Sequence, residues 1–214
     1  MNAAPSEMSR RQAVVEKAIP LAAADGFSDR ILSEAGRQAG LGPEMLLHLF
    51  PRGAESLVEA FSDSADAAMV QDLARQDLAV MKIRKRIHAA VLARIGALRP
   101  HKEAARRAAA FLMLPMHAAL AALLLYRTVD AMWHAAGDTS TDFNFYTKRA
   151  ILAALYSATM MRWFNDTSDG ESETLAFLDA RIENVMQFER FKVEIGERAK
   201  KVPGLEAFFS PKRS

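Results

Sequence analysis

The chain has 214 residues, half of them apolar, a formal net charge of +2 and no cysteine. That length and apolar content allow one ordinary domain, or two small ones, with a real buried core. The missing cysteine excludes disulfides, thiol nucleophiles and cysteine-ligated zinc or iron–sulfur centres, and so small a charge gives no argument of its own for a nucleic-acid partner.

The opening residues, MNAAPSEMSRRQ, hold no apolar run of the secretory kind and do not read as organelle-targeting. From there almost everything reads as helix, since alanine and leucine abound and no strand-like alternation persists. The first helix is expected from about Ser9 to Ala24, with Val14, Val15, Ala18, Leu21 and Ala22 inward, a kink at Pro20 and a stop at Asp25-Gly26. Ser28 or Asp29 caps a second helix through Ala39. Gly40-Leu41-Gly42 is a turn, Pro43 opens a short third helix, and Pro51-Arg52-Gly53 ends it. A fourth helix starts near Ala54. A fifth runs from about Val80 to Leu98, with Ile83, Ile87, Val91, Ile95 and Leu98 at helical spacing. After Pro100 come helices over Glu103–Leu114 and Met116–Ala136, separated by Pro115. The most apolar window, Ala108–Tyr126, is interrupted by Pro115 and His117 and flanked by Arg106, Arg107 and Arg127. It falls short of the roughly 20 apolar residues of a membrane span. Gly137–Ser140 is a turn, Thr141–Phe164 a long helix, and a last helix begins at Ser172 or Glu173 and reaches about Lys200. The expectation is a soluble, cytoplasmic protein.

Three short helices with a glycine turn between the second and third make a helix-turn-helix. The segment ILSEAGRQAGLGPEMLLHLF (Ile31–Phe50), followed by PRGAESLVEAF, resembles the amino-terminal end of tetracycline-repressor-type regulators, with Ala39-Gly40, Phe50-Pro51 and Leu57 in that pattern. The expected fold class is therefore all-α and tetracycline-repressor-like. Residues 1–53 form the helix-turn-helix region, residues 54–200 a larger helical ligand-binding and dimerisation region, and residues 201–214 a short tail. The recognition helix carries Glu44, Met45, Leu46, Leu47, His48 and Leu49, with no lysine, arginine, serine, threonine or asparagine. It lacks donors for base edges and phosphates, so a nucleic-acid partner is not expected. A helix-turn-helix can persist as scaffold after its surface stops suiting DNA.

A second resemblance lies in FLMLPMH (Phe111–His117) and VDAMWHAAGDTSTDFNFYTKRAILAALY (Val129–Tyr156). These segments resemble the lipid-binding accessory protein of ubiquinone (coenzyme Q) biosynthesis, the ninth named protein of that pathway. The resemblance implies a homodimer, a pocket for isoprenoid quinone or phospholipid, and partnership with the di-iron demethoxyubiquinone hydroxylase. On the long helix, Asp142, Phe145, Tyr146 and Arg149 fall at i, i+3, i+4 and i+7 and share one face. An aromatic pair framed by Asp and Arg has the composition of an interface hot spot. In the family this region carries the hydroxylase-docking patch, so the resemblance assigns docking to these four. The competing reading makes them capping and core groups. Ile151, Leu155 and Ala158 lie on the opposite face and pack on the domain.

The lipid-binding residues implied are Met113, Leu114, Met116, Leu120, Met132, Trp133, Leu152, Tyr156 and Met160. Eleven methionines suit a site that adapts to a flexible chain, and Pro115 could widen a cavity by opening a helix. Methionine and leucine at helical spacing are, however, ordinarily core.

No catalytic constellation emerges. There is no Gly-x-Ser-x-Gly, phosphate loop or dinucleotide fingerprint, and the five histidines are scattered, so no catalytic residue, metal site or cofactor is expected. The run Lys82, Arg84, Lys85, Arg86, His88 reads as a solvated helix face, or as a contact for anionic lipid or an acidic partner. In the tail, Leu205, Phe208 and Phe209 between basic residues could contact a membrane surface. Family members carry a longer amphipathic helix there, whereas this tail has Pro203 and Pro211. If the protein is bacterial, it is expected to be peripheral at the inner membrane. The last two helices, with Phe177, Leu178, Ile182, Val185, Met186 and Phe188, could form a four-helix dimer seam. The leading reading is a non-catalytic protein that binds quinone precursors and presents them to the hydroxylase. The alternative is a tetracycline-repressor-type ligand-responsive regulator.

Overall fold

A computed structural model of the chain describes residues 6–138 and 143–200, without the side chains of residues 143, 144, 186 and 188–200. Ser6 starts α1 (Glu7–Asp25) by accepting at its hydroxyl from the Ser9 amide, and Gly26, at φ 80°, ends it. Pro20 lies inside this helix, which continues past it. Ser28 caps α2 (Asp29–Gln38), its Oγ accepting from the Ile31 amide. Asp29 instead serves another element. Its Oδ1 accepts at 2.7 Å from the amide of Ala54, the first residue of α4 (Ala54–Leu73). Between them lies α3 (Pro43–Leu49), with Pro43 in its first turn, where a missing amide costs nothing.

The remaining helices are α5 (Ile83–Leu98), α6 (Lys102–Leu112), α7 (Ala118–Ala135), α8 (Phe143–Asn165) and α9 (Ser172–Lys200). Nine α-helices and no strands occur among the described residues. Helix α4 packs on α5 and α7, α8 joins α7 to α9, and α6 lies against α1. The core runs without interruption from Val14 and Val15 in α1 through Leu57 and Met69 in α4 to Trp163 in α8 and Leu178 in α9.

Two boundaries differ from expectation for local reasons. Helix α5 starts at Ile83 rather than Val80, because Leu78–Val80 form one 3-10 turn and Lys82 takes an extended backbone. The expected helix Met116–Ala136 is a 3-10 turn, Pro115–His117, followed by α7. The ring of Pro115 bars helical backbone at Leu114, whose ψ is 135°. Phe111 stacks on His117 with ring centroids 4.0 Å apart, and His117 Nδ1 lies 3.0 Å from Glu55 Oε1 on α4. These contacts fix the corner. Here the chain bends by 92° between Ile83–Leu112 and Pro115–Ala135. No single helix among the described residues is long and apolar enough to cross a membrane.

Asp166 organises the start of α9. It accepts from the Ser168 amide and hydroxyl and from the Thr174 amide and hydroxyl, at 2.5–2.8 Å. Those four bonds hold its carboxyl well below the usual aspartate range.

Two predictions follow from these caps. Gly53 sits at φ 57°, ψ −127°, and a Cβ there would stand 2.2 Å from Asp29 Oδ1. Gly53→Ala should therefore cost about 1–3 kcal/mol in backbone strain and disturb the Asp29 cap, read as a lower urea midpoint. The depressed folded pKa of Asp166 means that its stabilisation is complete above the unfolded aspartate value of ~3.9 and fades as pH falls below it. The gap in melting temperature between wild type and Asp166→Ala should be larger at pH 7 than at pH 2. A gap that grows in acid would contradict the assignment.

Candidate ligand cavity and docking surface

Helices α4, α5, α6, α7 and α8 line an open cavity of about 270 Å³. Its wall is mostly apolar: Val58 and Phe61 from α4, Leu98 from α5, Ala105, Ala108, Ala109 and Leu112 from α6, Ala121, Leu124 and Leu125 from α7, and Tyr156, Met160, Met161 and Phe164 from α8. Small alanines on α6 leave the space that larger residues would fill. Met113 also lines the cavity and is 75% exposed, which puts it at the boundary with solvent beside the Pro115 corner. Larger clefts of about 410 and 660 Å³ lie elsewhere, but charged side chains such as Glu16, Lys102 and Glu103, or Asp72 and Arg99, line them. An apolar wall distinguishes the smaller cavity as the candidate ligand site.

One polar cluster interrupts that wall. Arg94 of α5 is only 4% exposed and lines the cavity with Ser62, Thr128 and Tyr156. Arg94 Nε lies 2.7 Å from Asp66 Oδ1 of α4, and Thr128 Oγ1 of α7 donates to Asp66 Oδ2 at 2.9 Å. Arg94 Nη2 donates to the carbonyl and hydroxyl oxygens of Ser62 at 3.3 and 3.2 Å. Burial pushes the Asp66 carboxyl above the usual aspartate range, against the pull of Arg94 and Thr128. Burial likewise pushes the Tyr156 phenol up, so it stays protonated. The sequence reading missed Asp66 and Arg94. The available signal was that Arg94 falls on the same stripe as Ile87, Val91 and Leu98, where a cation is out of place.

The structure divides the implied lipid residues. Met113, Tyr156 and Met160 line the cavity. Trp133 and Leu152 instead border a second apolar hollow of about 100 Å³, with Ile87, Leu155, Ile182 and Val185. Met132 and Leu120 are buried in the core but border neither space. Leu114 and Met116 are exposed at the corner, Met116 by 78%, since the 3-10 turn carries them outward. Of the nine residues, three thus stand on the cavity wall, two are exposed at the corner and four are buried elsewhere.

The four residues assigned to docking are also divided. Arg149 is 4% exposed, not a surface group. It lies 2.7 Å from Asp130 Oδ1 and 3.3 Å from Asp138 Oδ2, and its guanidinium carbon sits 3.4 Å from the Phe145 ring centre. Helical spacing put it on the same face as Tyr146, but the end of α7 covers that edge of the face. Tyr146 is 70% exposed, with Phe145 half-buried against it edge to face at 5.1 Å. Asp142 lies outside the described residues, as do Leu205, Phe208 and Phe209.

Other surfaces are plainer. The exposed side of α3 presents Glu44, Leu47 and His48, and His48 Nε2 lies 3.1 Å from Glu7. In the basic run, Lys82, Arg84 and Lys85 are exposed, while Arg86 donates to the carbonyls of Met81, Ala136 and Ala79 and joins the start of α5 to the end of α7. On α9, Leu178 is buried and Ile182 and Val185 are packed against the same protomer's core, which takes up part of the surface expected at a dimer seam.

This architecture belongs to a known class. It matches the crystal structure of a TetR transcriptional regulator from Nitrosomonas europaea with a TM-score of 0.64 at 20% identity, covering 81% of this chain and 95% of that one. The fold is thus all-α and tetracycline-repressor-like. Residues 118–189 match the model of the COQ9 family, the family that the Phe111–His117 and Val129–Tyr156 segments resemble. Among curated relatives, human "Ubiquinone biosynthesis protein COQ9, mitochondrial" is 30% identical over 192 residues, covering 85% of this chain. The Drosophila melanogaster protein of the same name is 26% identical over 191 residues, covering 84% of this chain. The chain spans 59% of the human protein's length and 56% of the fly protein's.

Arg149→Ala removes the buried cation from between Asp130 and Asp138. It should cost about 3–5 kcal/mol in chemical denaturation, whereas Tyr146→Ala on the exposed surface should stay within about 0.5 kcal/mol of wild type. Equal stability of the two variants would contradict the division between strut and surface.

Proposed function

We propose that this chain is a non-catalytic protein of ubiquinone biosynthesis that binds an isoprenoid quinone precursor, or a phospholipid, and presents it to the demethoxyubiquinone hydroxylase. The observation that carries this reading is the apolar cavity among α4–α8, which reaches solvent at Met113 beside the exposed Leu114 and Met116. A site for a hydrocarbon chain needs such a wall, and methionines at its mouth can re-pack around ligands of different shape. The similarity to COQ9 proteins supplies the pathway.

Presentation requires a surface near the ligand. Tyr146, with Phe145 beside it, supports a docking role on the helix whose later turns carry Tyr156 and Met160 to the cavity wall. Arg149 contributes by holding that helix to α7. Asp142, as a further docking residue, Leu205, Phe208 and Phe209, as membrane contacts, and a homodimer through α8 and α9 complete the proposal. The regulator reading has one observation in its favour, the fold shared with a TetR transcriptional regulator. The exposed residues of α3, with Glu44 and Leu47 and no lysine or arginine, weigh against it.

Native mass spectrometry of gently purified protein should show a bound quinone or lipid. Ala121→Phe, which fills the cavity from α7, should abolish that adduct while the protein remains folded by circular dichroism. Tyr146→Ala should reduce hydroxylase recovery in pull-down by about tenfold, the loss of a hot-spot aromatic of ~1.4 kcal/mol. Deletion of the gene should raise demethoxyubiquinone, and unchanged quinones would remove the pathway assignment.

A further inference from the structure

The cavity and the smaller apolar hollow lie between the same three helices. On α5, Ile87 lines the hollow and Arg94 the cavity. On α7, Trp133 lines the hollow and Thr128 the cavity. On α8 the two spaces reach neighbouring residues, Leu155 at the hollow and Tyr156 at the cavity. Two ties set α5 and α7 in register. Arg86 Nη1, at the start of α5, donates to the carbonyl of Ala136, just past the end of α7, at 2.9 Å. Further along, Asp66 joins Arg94 of α5 to Thr128 of α7. The two helices therefore run antiparallel, and the hollow and the cavity follow one another along one seam.

What separates them is short. From Thr128 to Trp133 is about 7.5 Å of helical rise. Met132 stands in that interval on α7, four residues after Thr128 and so on the same face. Val91 stands in the matching interval on α5, between Ile87 and Arg94. Both are fully buried and line neither space. They differ in stiffness. Val91 is β-branched and held to few rotamers, whereas Met132 is unbranched and re-packs readily. The movable part of the partition is the methionine.

We propose that the cavity and the hollow are two parts of one ligand tunnel, closed between them by Met132, and that a hydrocarbon chain too long for the cavity displaces Met132 and enters the hollow. The cavity alone, at about 270 Å³, lies just under the range of about 300–1,000 Å³ usual for small-molecule sites. The hollow extends it with a wall that is apolar apart from Arg84. It also lies toward the end of α8 that carries the proposed docking surface, since Ile151 of its wall follows the exposed Tyr146 by about 7.5 Å of helical rise. This rests on the reading of the cavity as an apolar-ligand site. It adds the second space and the residue, Met132, that sets which chain lengths are held.

The test is titration calorimetry of the full chain with two dimethoxybenzoquinones, one carrying a single isoprene unit and the other four. Wild type should bind the four-unit quinone at least about tenfold more tightly, the effect of burying about two further methylene groups. Met132→Leu conserves volume, which cores tolerate, but stiffens the partition. Ile151→Phe fills the hollow from α8 and leaves Met132 in place. Each should weaken four-unit binding by about tenfold and leave one-unit binding unchanged, with folding checked by circular dichroism. A structural role for Met132 alone would not produce a loss that depends on chain length. Equal wild-type affinities, four-unit binding unchanged in either folded variant, or loss of both probes together overturns the tunnel and leaves the apolar-ligand reading standing. If wild type binds neither probe, the apolar-ligand reading falls and the tunnel with it.

Discussion

The contact between Arg94 and Asp66 is the constraint around which the larger helical region is arranged. It joins α5 to α4, and through Thr128 it reaches α7, so the three helices that frame one side of the cavity meet at one buried ion pair. Such a pair adds little net stability, because removing two charges from water costs about as much as their attraction returns. What it imposes is register. Sliding α4 against α5 by a turn would leave a charge buried without its partner, at about 3–5 kcal/mol, and sliding α7 would take the Thr128 hydrogen bond from Asp66, whereas apolar contacts could re-form in the new position. A cavity is a place where packing does not specify position, and here a polar tie supplies what packing cannot.

The same logic recurs at the other end of the region. Arg149 lies between Asp130 and Asp138 and against the Phe145 ring, which ties the start of α8 to the end of α7. Trp163 does comparable work near the other end of α8. Its Nε1 donates to Glu171 at 2.7 Å and its ring lies under Lys102 Nζ at 5.1 Å. Between these fixed ends, α8 carries Tyr156 and Met160 to the cavity wall and leaves Tyr146 in solvent. One helix thus connects the cavity to the proposed docking surface. In that reading Tyr146, Tyr156 and Arg149 have three separate jobs: contact, lining and support.

The amino-terminal helices have the geometry of a helix-turn-helix, and the exposed side of the third carries no lysine or arginine. Ser28, Asp29 and Gly53 satisfy the caps and the turn, and Ile31, Leu46 and Phe50 fill the core. These demands belong to folding and are independent of any partner. The exposed positions of α3 answer only to what lies outside, and they hold Glu44, Leu47 and His48. This separation of scaffold from surface is why a shared fold does not carry a shared function.

Local signals were enough to read the helices and their order from residue types alone, because caps, prolines and glycines act within a few residues of themselves. Ser28, Pro43, Gly137 and Ser172 all mark boundaries within a residue or two of where the helices begin or end. The COQ9 resemblance was legible for the same reason, lying in contiguous segments. The division of labour among those residues was not. Helical spacing puts Tyr146 and Arg149 on one face, but only the approach of α7, bringing Asp130 and Asp138, decides that one is exposed and the other buried. Likewise, spacing marks Met132 and Met160 alike as inward, and only the packing of five helices decides that Met160 meets the cavity while Met132 meets solid core. Periodicity reports which way a side chain points. What stands opposite it depends on contacts between segments far apart in the chain, as with Asp66 and Arg94, and those exist only in the folded protein.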